Sequence, residues 1–503
     1  MEKALEVYQK TRKKLNAFNY AMYMISWDSE TEAPVGCLEE RSKQIGELVS
    51  MMLEISHCKD YIEAVKTLYS KKEELETDLK LEIIKVWEEL EKELKIPEAE
   101  LIEYEMLLAK ANNIWCEAKL NNNYESFAPI LAKIINWQKK YIKYLETDNL
   151  KGYDVLLNDY EKGFTRKEYD EFFDVLKKEL VPFVKKITSL KPFDDSFVYK
   201  KYDIDKQKEF AHYLMDVMCF DKKFGLTKES EHPFTSGYGT TDVRVTCHYY
   251  ENLLTSSIFS MIHELGHATY ERQCDSKYDD TALSGGTTMA MHESQSRFYE
   301  NIVGRSYPFW CKHYPVLQKL FTENLHNVTV DDFYYAINKI ENTLIRTEAD
   351  ELTYPLHIMV RYDMEKAIIE SNIDVNELPK LWNKLYKDYL GIEVPNDAKG
   401  ILQDVHWAGG SFGYFPTYAL GSAYAAQLYH QMKKELNIDE VFGANDLSKV
   451  NEWLKEKVHQ YAGSKSPKEI LLMVTHEEFN PKYYLEYLKE KYSKIYQLTN
   501  EKK

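Results

Sequence analysis

The chain of 503 residues carries 65 basic and 82 acidic residues, a formal net charge of −17, which argues against a nucleic-acid partner because such a partner demands a basic surface. Its seven cysteines are scattered, odd in number and without C-x-x-C spacing, which excludes a disulfide framework and favours a reducing compartment. The N-terminal segment is charged throughout and no run of about 18 apolar residues occurs. We therefore expect a cytoplasmic protein with no membrane partner.

Long segments with helical periodicity follow one another with short breaks, and no linker rich in Gly, Pro or Ser separates them. This pattern predicts a mainly α-helical chain that forms a single unit over residues 1–503. We expect a helical N-terminal part to about residue 220, a middle part over about 221–420 and C-terminal helices over about 421–503. The helices predicted first cover residues 2–25, 39–56, 59–70, 74–93, 98–120 and 124–146, with a turn-rich connection after residue 25.

Between residues 231 and 250 the helical periodicity gives way to turn and strand signals. Gly237 and Gly239 are turn signals, and residues 242–246 alternate in the manner of a strand, which predicts a small sheet directly before a helix over 253–273. Further helices are predicted over 289–303, 306–325, 330–344, 345–371 and 376–391, the fourth of them kinked at Pro355. Residues 395–418 form an irregular stretch rich in glycine and aromatic residues.

The helix over residues 253–273 contains His263-Glu264-Leu265-Gly266-His267, a match to H-E-x-x-H. Residues four apart lie one turn above each other on a helix, so the two imidazoles can aim at one point. Zn²⁺ accepts such nitrogens at about 2.0–2.1 Å, and a catalytic site keeps one position open for water. Glu264 lies about 100° further round the helix, off the metal but within reach of a metal-bound water, where a general base belongs. The alternative is a chance match, with two buried histidines bonded to carbonyl groups.

Two neighbouring features complete the prediction for this helix. Ser256 or Ser257 can cap its start. Gly266 costs about 1 kcal/mol relative to alanine in a helix, which indicates that another backbone, such as that of a strand, packs closely against it.

A catalytic zinc site needs a third protein ligand. The metzincin pattern is excluded because Tyr270 and Gln273 stand where it requires Gly and His, and Glu271 lies about 6 Å further along the axis. Glu293 is the better candidate, since a loop of about 15 residues can return a second helix beside the first. The alternative for Glu293 is an exposed i, i+4 ion pair with Arg297. His292 is a candidate for a donor behind the ligands.

A polar stripe of mixed type follows on the helix predicted over 345–371. Its members fall at i, i+4, i+8, i+11 and i+15 and are Arg346, Asp350, Tyr354, His357 and Arg361. This mixture suits a cleft wall that holds a carboxylate, because guanidinium offers a planar fork. A solvated helix face is the alternative, and a kink at Pro355 would split the stripe.

The irregular stretch that follows concentrates hydrogen-bonding groups beside glycines. Gln403, Asp404 and His406 lie there, and Tyr414 and Tyr418 come after them. Loops with such side chains are often functional. A tyrosine hydroxyl near the metal could stabilise a tetrahedral oxyanion.

Six blocks in this order and spacing closely resemble the signature of the carboxypeptidase Taq family of metallocarboxypeptidases. The blocks are His232-Pro233-Phe234, the DVRVT segment, HELGH, His292-Glu293-Ser294-Gln295, the IRTEAD segment from Ile345 to Asp350, and GILQDVHW from Gly400 to Trp407. The early WDSETEAPVGCLEER is also similar to that family's N-terminal block, with Ser29 where members often have Gln or Glu. The resemblance extends over essentially the whole chain.

The resemblance implies a mainly α-helical, two-lobed metallopeptidase with a deep central groove and the metal at its floor, and the strand pattern adds a small β-sheet beside the H-E-x-x-H helix. It also implies a homodimer that removes C-terminal residues one after another with broad specificity. It gives His263, His267 and Glu293 the ligand roles and Glu264 the role of base, and it supports Arg346 as an anchor for the substrate carboxylate. Other positions are implied only to line or brace the site, namely His232, Asp242, Arg244, Gln403, Asp404 and His406.

The sequence as a whole therefore predicts a metal-dependent carboxypeptidase acting on peptides with a free C-terminus, by Glu264-assisted attack of a metal-bound water. Arg346, with Arg361, is expected to hold the terminal carboxylate. The expected cofactor is one Zn²⁺ per subunit, with Co²⁺ as an alternative. Two other functions stay open: an intracellular oligopeptide endopeptidase on a related helical scaffold, which needs no carboxylate anchor, and a non-catalytic helical interaction protein with a structural metal.

Overall fold

The computed structural model of the chain describes residues 1–371 and 373–498. These residues form a mainly α-helical protein with one small sheet, as predicted. None of the helices among these residues combines the length and the hydrophobicity that a membrane span requires.

The helices are labelled in chain order. They are α1 (Glu2–Thr31), α2 (Leu38–Ser56), α3 (Lys59–Ser70), α4 (Thr77–Leu94), α5 (Glu98–Leu120), α6 (Tyr124–Leu145), α7 (Tyr153–Tyr160), α8 (Arg166–Thr188), α9 (Ile204–Val217), α10 (Leu254–Gln273), α11 (Met289–Arg297), α12 (Tyr307–Leu320), α13 (Thr322–Leu325), α14 (Val330–Ile337), α15 (Tyr354–Glu370), α16 (Leu378–Leu390), α17 (Phe415–Glu435), α18 (Ile438–Phe442), α19 (Ser448–Lys457), α20 (Pro467–Thr475) and α21 (Lys482–Ile495). A π-helical segment, Phe298–Val303, directly follows α11.

The predicted helices up to residue 146 agree with α1 to α6 within a few residues, apart from the end of α1. This helix continues to Thr31 through a segment predicted to be turn-rich. The hydroxyl groups of Ser29 and Thr31 donate to the carbonyls of Ile25 and Trp27, each at 2.7 Å, so these polar residues bond back to the helix instead of breaking it. Pro34 then follows the end of the helix.

The sheet has three short strands in the order β1 (Gly225–Glu229), β3 (Asp242–Cys247), β2 (Thr235–Tyr238). The central strand β3 is the predicted one. It runs parallel to β1, with Gly225 opposite Val243, and antiparallel to β2, with Thr235 opposite Val245. Val243 and Val245 are fully buried, so one face of β3 belongs to the core and the alternate residues are free for other contacts.

The predicted helix over residues 345–371 is wrong in its first part. The segment Arg346–Glu348 forms a single 3₁₀ turn, and α15 begins only at Tyr354. Pro355 lies in the first turn of α15, where its missing N–H is not needed and its fixed φ suits a helix. The proline therefore marks the start of a helix and does not kink one.

The chain forms two compact units, in agreement with the predicted two lobes, and each unit draws on three separate stretches. The first contains Met1–Glu93, Ser196–Val330 and Gln431–Glu477, and the second contains Leu94–Asp195, Asp331–His430 and Glu478–Lys503. The sheet, α10 and α11 belong to the first unit, and α15 belongs to the second. The division of the sequence at about residues 220 and 420 stays a prediction.

Candidate metal centre

The helix that carries H-E-x-x-H packs directly against α11. A Cβ added to Gly266 would lie 2.8 Å from the Cα of Ser296, so the two backbones touch where a side chain would separate them. The close packing predicted at Gly266 therefore exists, although the neighbour is a helix and not a strand. The predicted caps are wrong, because α10 begins at Leu254 with no side-chain cap and Ser257 instead donates to Gln207 at 2.7 Å.

Three side chains from α10 and α11 converge on one point. One donor atom from each of His263, His267 and Glu293 lies within 4.8 Å of the others. The Oε2 atom of Glu293 is 3.8 Å from Nε2 of His263 and 3.6 Å from Nε2 of His267. The two histidine side chains are 18% exposed and that of Glu293 is 12% exposed, so the centre is partly accessible to solvent. Two imidazole nitrogens and one carboxylate oxygen are a donor set that suits a catalytic divalent ion.

Glu293 also makes the ion pair with Arg297 that the sequence offered as an alternative. The Nε of Arg297 donates to Oε1 of Glu293 at 2.7 Å, but the pair is largely buried and not on an exposed helix face. Because Arg297 occupies Oε1, the other carboxylate oxygen, Oε2, is held toward the two histidines. The ion pair and the ligand geometry therefore coexist on the same side chain.

His263 is held from behind by a carboxylate. Its Nδ1 lies 2.8 Å from Oε2 of Glu300, which belongs to the π-helical segment. Burial alone would raise the pKa of Glu300, but Arg297, His263 and Arg305 outweigh it and hold that pKa well below its ordinary value. Glu300 is therefore a charged acceptor, and the Nδ1–H of His263 donates to it, which leaves Nε2 free to face the centre.

His267 is held from behind by a second histidine. Its Nδ1 lies 2.6 Å from Nδ1 of His292, and Nε2 of His292 lies 2.5 Å from Oε1 of Glu271. Burial, followed by the neighbouring His292 and His263, lowers the pKa of His267 well below its ordinary value. His267 is therefore a neutral imidazole, the form that binds a metal. Glu271, considered from the sequence as a ligand, instead contacts His292.

Glu264 lies beside the ligands and is held by the sheet. The hydroxyl of Thr235, on β2, lies 2.8 Å from both Oε2 and the carbonyl oxygen of Glu264. Burial raises the pKa of Glu264 above its ordinary value, although His263 and the Thr235 hydroxyl oppose this. A buried carboxylate with a raised pKa is a stronger base than an exposed one.

Asp242 and Arg244 form a pair on the face of β3 opposite Val243 and Val245. The Nε and Nη2 atoms of Arg244 donate to the two oxygens of Asp242, each at 2.7 Å, and the hydroxyl of Tyr23 donates to Asp242 at 3.1 Å. The guanidinium also lies 5.3 Å from the centre of the Tyr23 ring. His232 is exposed on the segment between β1 and β2, and its carbonyl accepts from Ser230 at 2.6 Å.

Arg346 and Arg361 meet at one carboxylate in the second unit. Arg346 contacts Oδ1 of Asp404 through Nε at 3.0 Å and Nη2 at 2.9 Å, and its Nη1 lies 3.2 Å from the hydroxyl of Tyr354. Arg361 contacts Oδ2 of Asp404 through Nε at 2.8 Å and Nη2 at 2.6 Å. One carboxylate between two guanidinium groups leaves this cluster with a net positive charge.

Arg361 is not available to a substrate, contrary to the prediction. Its side chain is 0% exposed. Its remaining N–H groups donate to Gln403 at 2.7 Å, to the carbonyl of His357 at 2.8 Å and to Tyr386 at 3.3 Å. Because the protein uses these donors, Arg361 braces Asp404 and Gln403. Residue type and spacing could not reveal this, since a buried arginine and an exposed one look alike in a sequence.

The aromatic residues after Asp404 pack around His406. Its ring stacks on that of Tyr414 at 5.6 Å, and its Nε2 lies 3.4 Å from the hydroxyl of Tyr418. Burial lowers the pKa of His406 to about 4. Its buried Nδ1 has no hydrogen-bond partner among residues 1–371 and 373–498. Tyr418 lies in the first turn of α17 and 5.1 Å from the guanidinium of Arg346, so it belongs to the arginine cluster.

Sequence reasoning assigned no role to Glu300 or Thr235, although both contact side chains of the metal centre. Glu300 follows Glu293 by seven positions, a spacing that returns to the same face of a helix and could have indicated it. Thr235 carried no such signal, because its contact with Glu264 depends on where β2 packs.

Known proteins resemble this chain over almost its whole length. Residues 7–492 match the family model described as carboxypeptidase Taq (M32) metallopeptidase. Carboxypeptidase 1 of Bacillus subtilis is 42% identical over 489 residues, covering 97% of each chain, and thermostable carboxypeptidase 1 of Pyrococcus furiosus is 34% identical, covering 95% of this chain and 96% of its own. The crystal structure of the M32 carboxypeptidase from Deinococcus radiodurans superposes with a TM-score of 0.94 at 28% identity, over 98% of this chain and 100% of that one. The chain therefore belongs to the carboxypeptidase Taq (M32) family of metallopeptidases and is a metal-dependent carboxypeptidase.

Proposed function

We propose that His263, His267 and Glu293 hold one divalent ion per subunit, Zn²⁺ or alternatively Co²⁺, for the hydrolysis of peptides from their C-terminal end. The observation that carries the proposal is the convergence of these three donor atoms within 4.8 Å. Each ligand also has a partner behind it, namely Glu300, His292 or Arg297. Such partners orient metal ligands and are as much a part of a site as the ligands themselves.

The role of each group in the reaction follows from these contacts. A divalent ion at the centre would polarise the scissile carbonyl and lower the pKa of a water molecule to about 7. Glu264 accepts the proton of the attacking water and passes it to the departing amine. Burial, which raises the pKa of Glu264, strengthens it as a base. The contact with Thr235 keeps its carboxylate in one orientation.

We assign the recognition of the substrate carboxylate to Arg346. Three of its nitrogens each direct one N–H at Asp404 or Tyr354, so two of the five N–H groups of a guanidinium have no protein acceptor among the described residues. The net positive charge of the two arginines with Asp404 favours an anion at this place. The remaining polar residues, Asp242, Arg244, His232, Gln403, His406, Tyr414 and Tyr418, are proposed to line or brace the site.

We further propose a cytoplasmic homodimer that binds neither nucleic acid nor membranes. Two properties support the compartment and the lack of a nucleic-acid partner. All seven cysteines are free thiols, as is usual in a reducing compartment. The net charge of −17 disfavours a polyanionic partner.

A timed digestion of one unblocked peptide, followed by mass spectrometry, tests the function. The expected result is a ladder of products shortened from the C-terminus, lost with a chelator and restored by Zn²⁺ or Co²⁺. The matched control is the same peptide with an amidated C-terminus, which is expected to be cleaved far more slowly because Arg346 then faces no carboxylate. Equal cleavage of both peptides at internal bonds would contradict the proposal and indicate an endopeptidase.

A further inference from the structure

His267 is linked to Glu271 through His292, although His267 and Glu271 lie on the same helix. The two residues are one turn apart on α10, and the imidazole of His292, from α11, is inserted between them. Its Nδ1 is 2.6 Å from Nδ1 of His267 and its Nε2 is 2.5 Å from Oε1 of Glu271. We call these three side chains the histidine relay. The residue after His292 is the third ligand, Glu293.

The imidazole of His292 fits a closely packed pocket. A Cβ on Gly286 would lie 2.6 Å from Cδ2 of His292 and 2.7 Å from Cε1 of Tyr270, so only glycine leaves room for the ring. The backbone N–H of Gly286 donates to Oε1 of Glu271 at 3.2 Å. The Tyr270 ring lies 5.1 Å from that of His292. These contacts fix both the imidazole and the carboxylate that accepts from it.

The protons of the relay can be assigned from its geometry. Only one proton fits between the two Nδ1 atoms. If Nε2 of His267 binds a cation, its neutral imidazole carries the proton on Nδ1 and donates to His292. His292 then accepts at Nδ1 and donates from Nε2 to the carboxylate of Glu271. Each hydrogen bond has one proton, and every member is satisfied.

We propose that His292 and Glu271 are positioning residues that hold His267 as its Nδ1–H tautomer with Nε2 aimed at the metal centre. The inference rests on the proposed function, in that it takes His267 to be a metal ligand. In this arrangement the two histidine ligands differ in the group that supports their Nδ1 atoms. His263 is supported directly by the carboxylate of Glu300, whereas His267 is supported through a second imidazole that also ties α10 to α11 next to Glu293.

Metal affinity of the purified full chain, measured by competition between the protein and a chromophoric chelator for Zn²⁺, tests the relay. His292→Ala and Glu271→Ala are expected to weaken Zn²⁺ binding about 10–100-fold, the usual effect of removing such a partner. Glu271→Gln keeps an acceptor but loses the charge, so its loss is expected to be smaller. Imidazole added to His292→Ala is expected to restore part of the affinity, a rescue that a merely structural role would not give.

The matched control is His459→Ala. His459 is a buried histidine whose ring also packs against Tyr270, at 4.8 Å, but whose nitrogens contact Gln273 and Gln295 and not the relay. Its loss should lower the Tm without changing Zn²⁺ affinity. Should His292→Ala fail to fold, His292→Asn and Glu271→Gln provide the measurement in its place.

The outcomes separate the relay from the function on which it rests. If the unaltered chain does not bind Zn²⁺, or if His267→Ala binds it as tightly as the unaltered chain, the proposed ligand set fails. If His267→Ala loses Zn²⁺ but the His292 and Glu271 variants bind it as tightly as the unaltered chain, only the relay is wrong. An equal loss in His459→Ala, or no rescue by imidazole, would assign His292 to packing and overturn the proposal.

Discussion

At the scale of single residues, Glu264 differs from the three proposed ligands in its contact with Thr235. Its role can therefore be tested separately from theirs. Its carboxylate lies beside the hydroxyl of Thr235 and is proposed to move a proton without holding the metal. Glu264→Gln should therefore leave Zn²⁺ content unchanged and reduce turnover by about 10²–10⁴-fold, the usual contribution of a general base. Metal analysis and peptide hydrolysis on the same sample check this. Loss of Zn²⁺ from the variant would identify Glu264 as a ligand.

Thr235 offers a milder change at the same place. Thr235→Val removes the hydroxyl and keeps the shape, so kcat should fall about tenfold, the equivalent of one hydrogen bond to a charged group, while Zn²⁺ affinity stays the same. The control is Thr269→Val on α10, whose hydroxyl donates only to the carbonyl of Leu265. Equal kinetics in Thr235→Val and Thr269→Val would show that the orientation of Glu264 does not depend on Thr235.

Arg346 is the residue on which the distinction between exopeptidase and endopeptidase depends. Arg346→Gln removes the charge, so kcat/KM for a peptide with a free C-terminus should fall about 10–100-fold, as expected for lost hydrogen bonds between charged groups. The amidated form of the same peptide should be affected little. If both peptides lose activity equally, Arg346 supports the fold and does not bind the carboxylate.

At the scale of secondary-structure elements, the contact between α10 and α11 decides whether three ligands can meet. Gly266→Ala should lower both the Tm and Zn²⁺ affinity, because its Cβ would lie 2.8 Å from a backbone atom of Ser296, although alanine is intrinsically the better helix former by about 1 kcal/mol. Gly46→Ala, on α2, is the control because nothing lies within 4 Å of its Cβ. That variant should be slightly stabilised. A stabilised Gly266→Ala with full Zn²⁺ affinity would show that α11 can move away freely.

The secondary-structure elements differ in how well the positions of their side chains could be predicted from the sequence. On a helix, the four-residue spacing of His263 and His267 points both side chains in the same direction. Glu293 can join them if the loop after α10 brings the next helix back beside it. The convergence of the three ligands could therefore be predicted. The contacts of Thr235 and Arg361 could not, because they depend on how β2 and α15 pack. Pro355 was compatible with a kinked helix and with a helix start, since its restricted φ suits both.

At the scale of the whole molecule, a buried carboxyl group links stability to pH. Burial raises the pKa of Glu365 to about 7, although Tyr153, Gly413 and Trp407 all donate to it. The folded chain therefore keeps a proton that the unfolded chain releases near its ordinary pKa of 4.5. Between these values the folded state binds more protons, so this group stabilises the fold fully below about pH 4.5 and less as pH rises through 7.

The difference between the unaltered chain and Glu365→Gln isolates this effect. The amide does not titrate, so the Tm of the variant should fall less between pH 5 and pH 8 than that of the unaltered chain. Thermal unfolding followed by circular dichroism at several pH values measures both. Parallel Tm curves over that range would show that Glu365 is already ionised at pH 5 in the folded protein.

In the π-helical segment after α11, the number of residues matters as much as their identity for the position of Glu300. A π turn closes each hydrogen bond five residues back instead of four, so it accommodates one residue more than an α turn. A chain that lost one residue between Phe298 and Val303 could close into a regular helix and still retain His263, His267 and Glu293. If the lost residue preceded Glu300, this carboxylate would be rotated by about 100° away from His263. Insertions and deletions in this stretch are thus a sensitive criterion for deciding whether other chains with H-E-x-x-H share this centre.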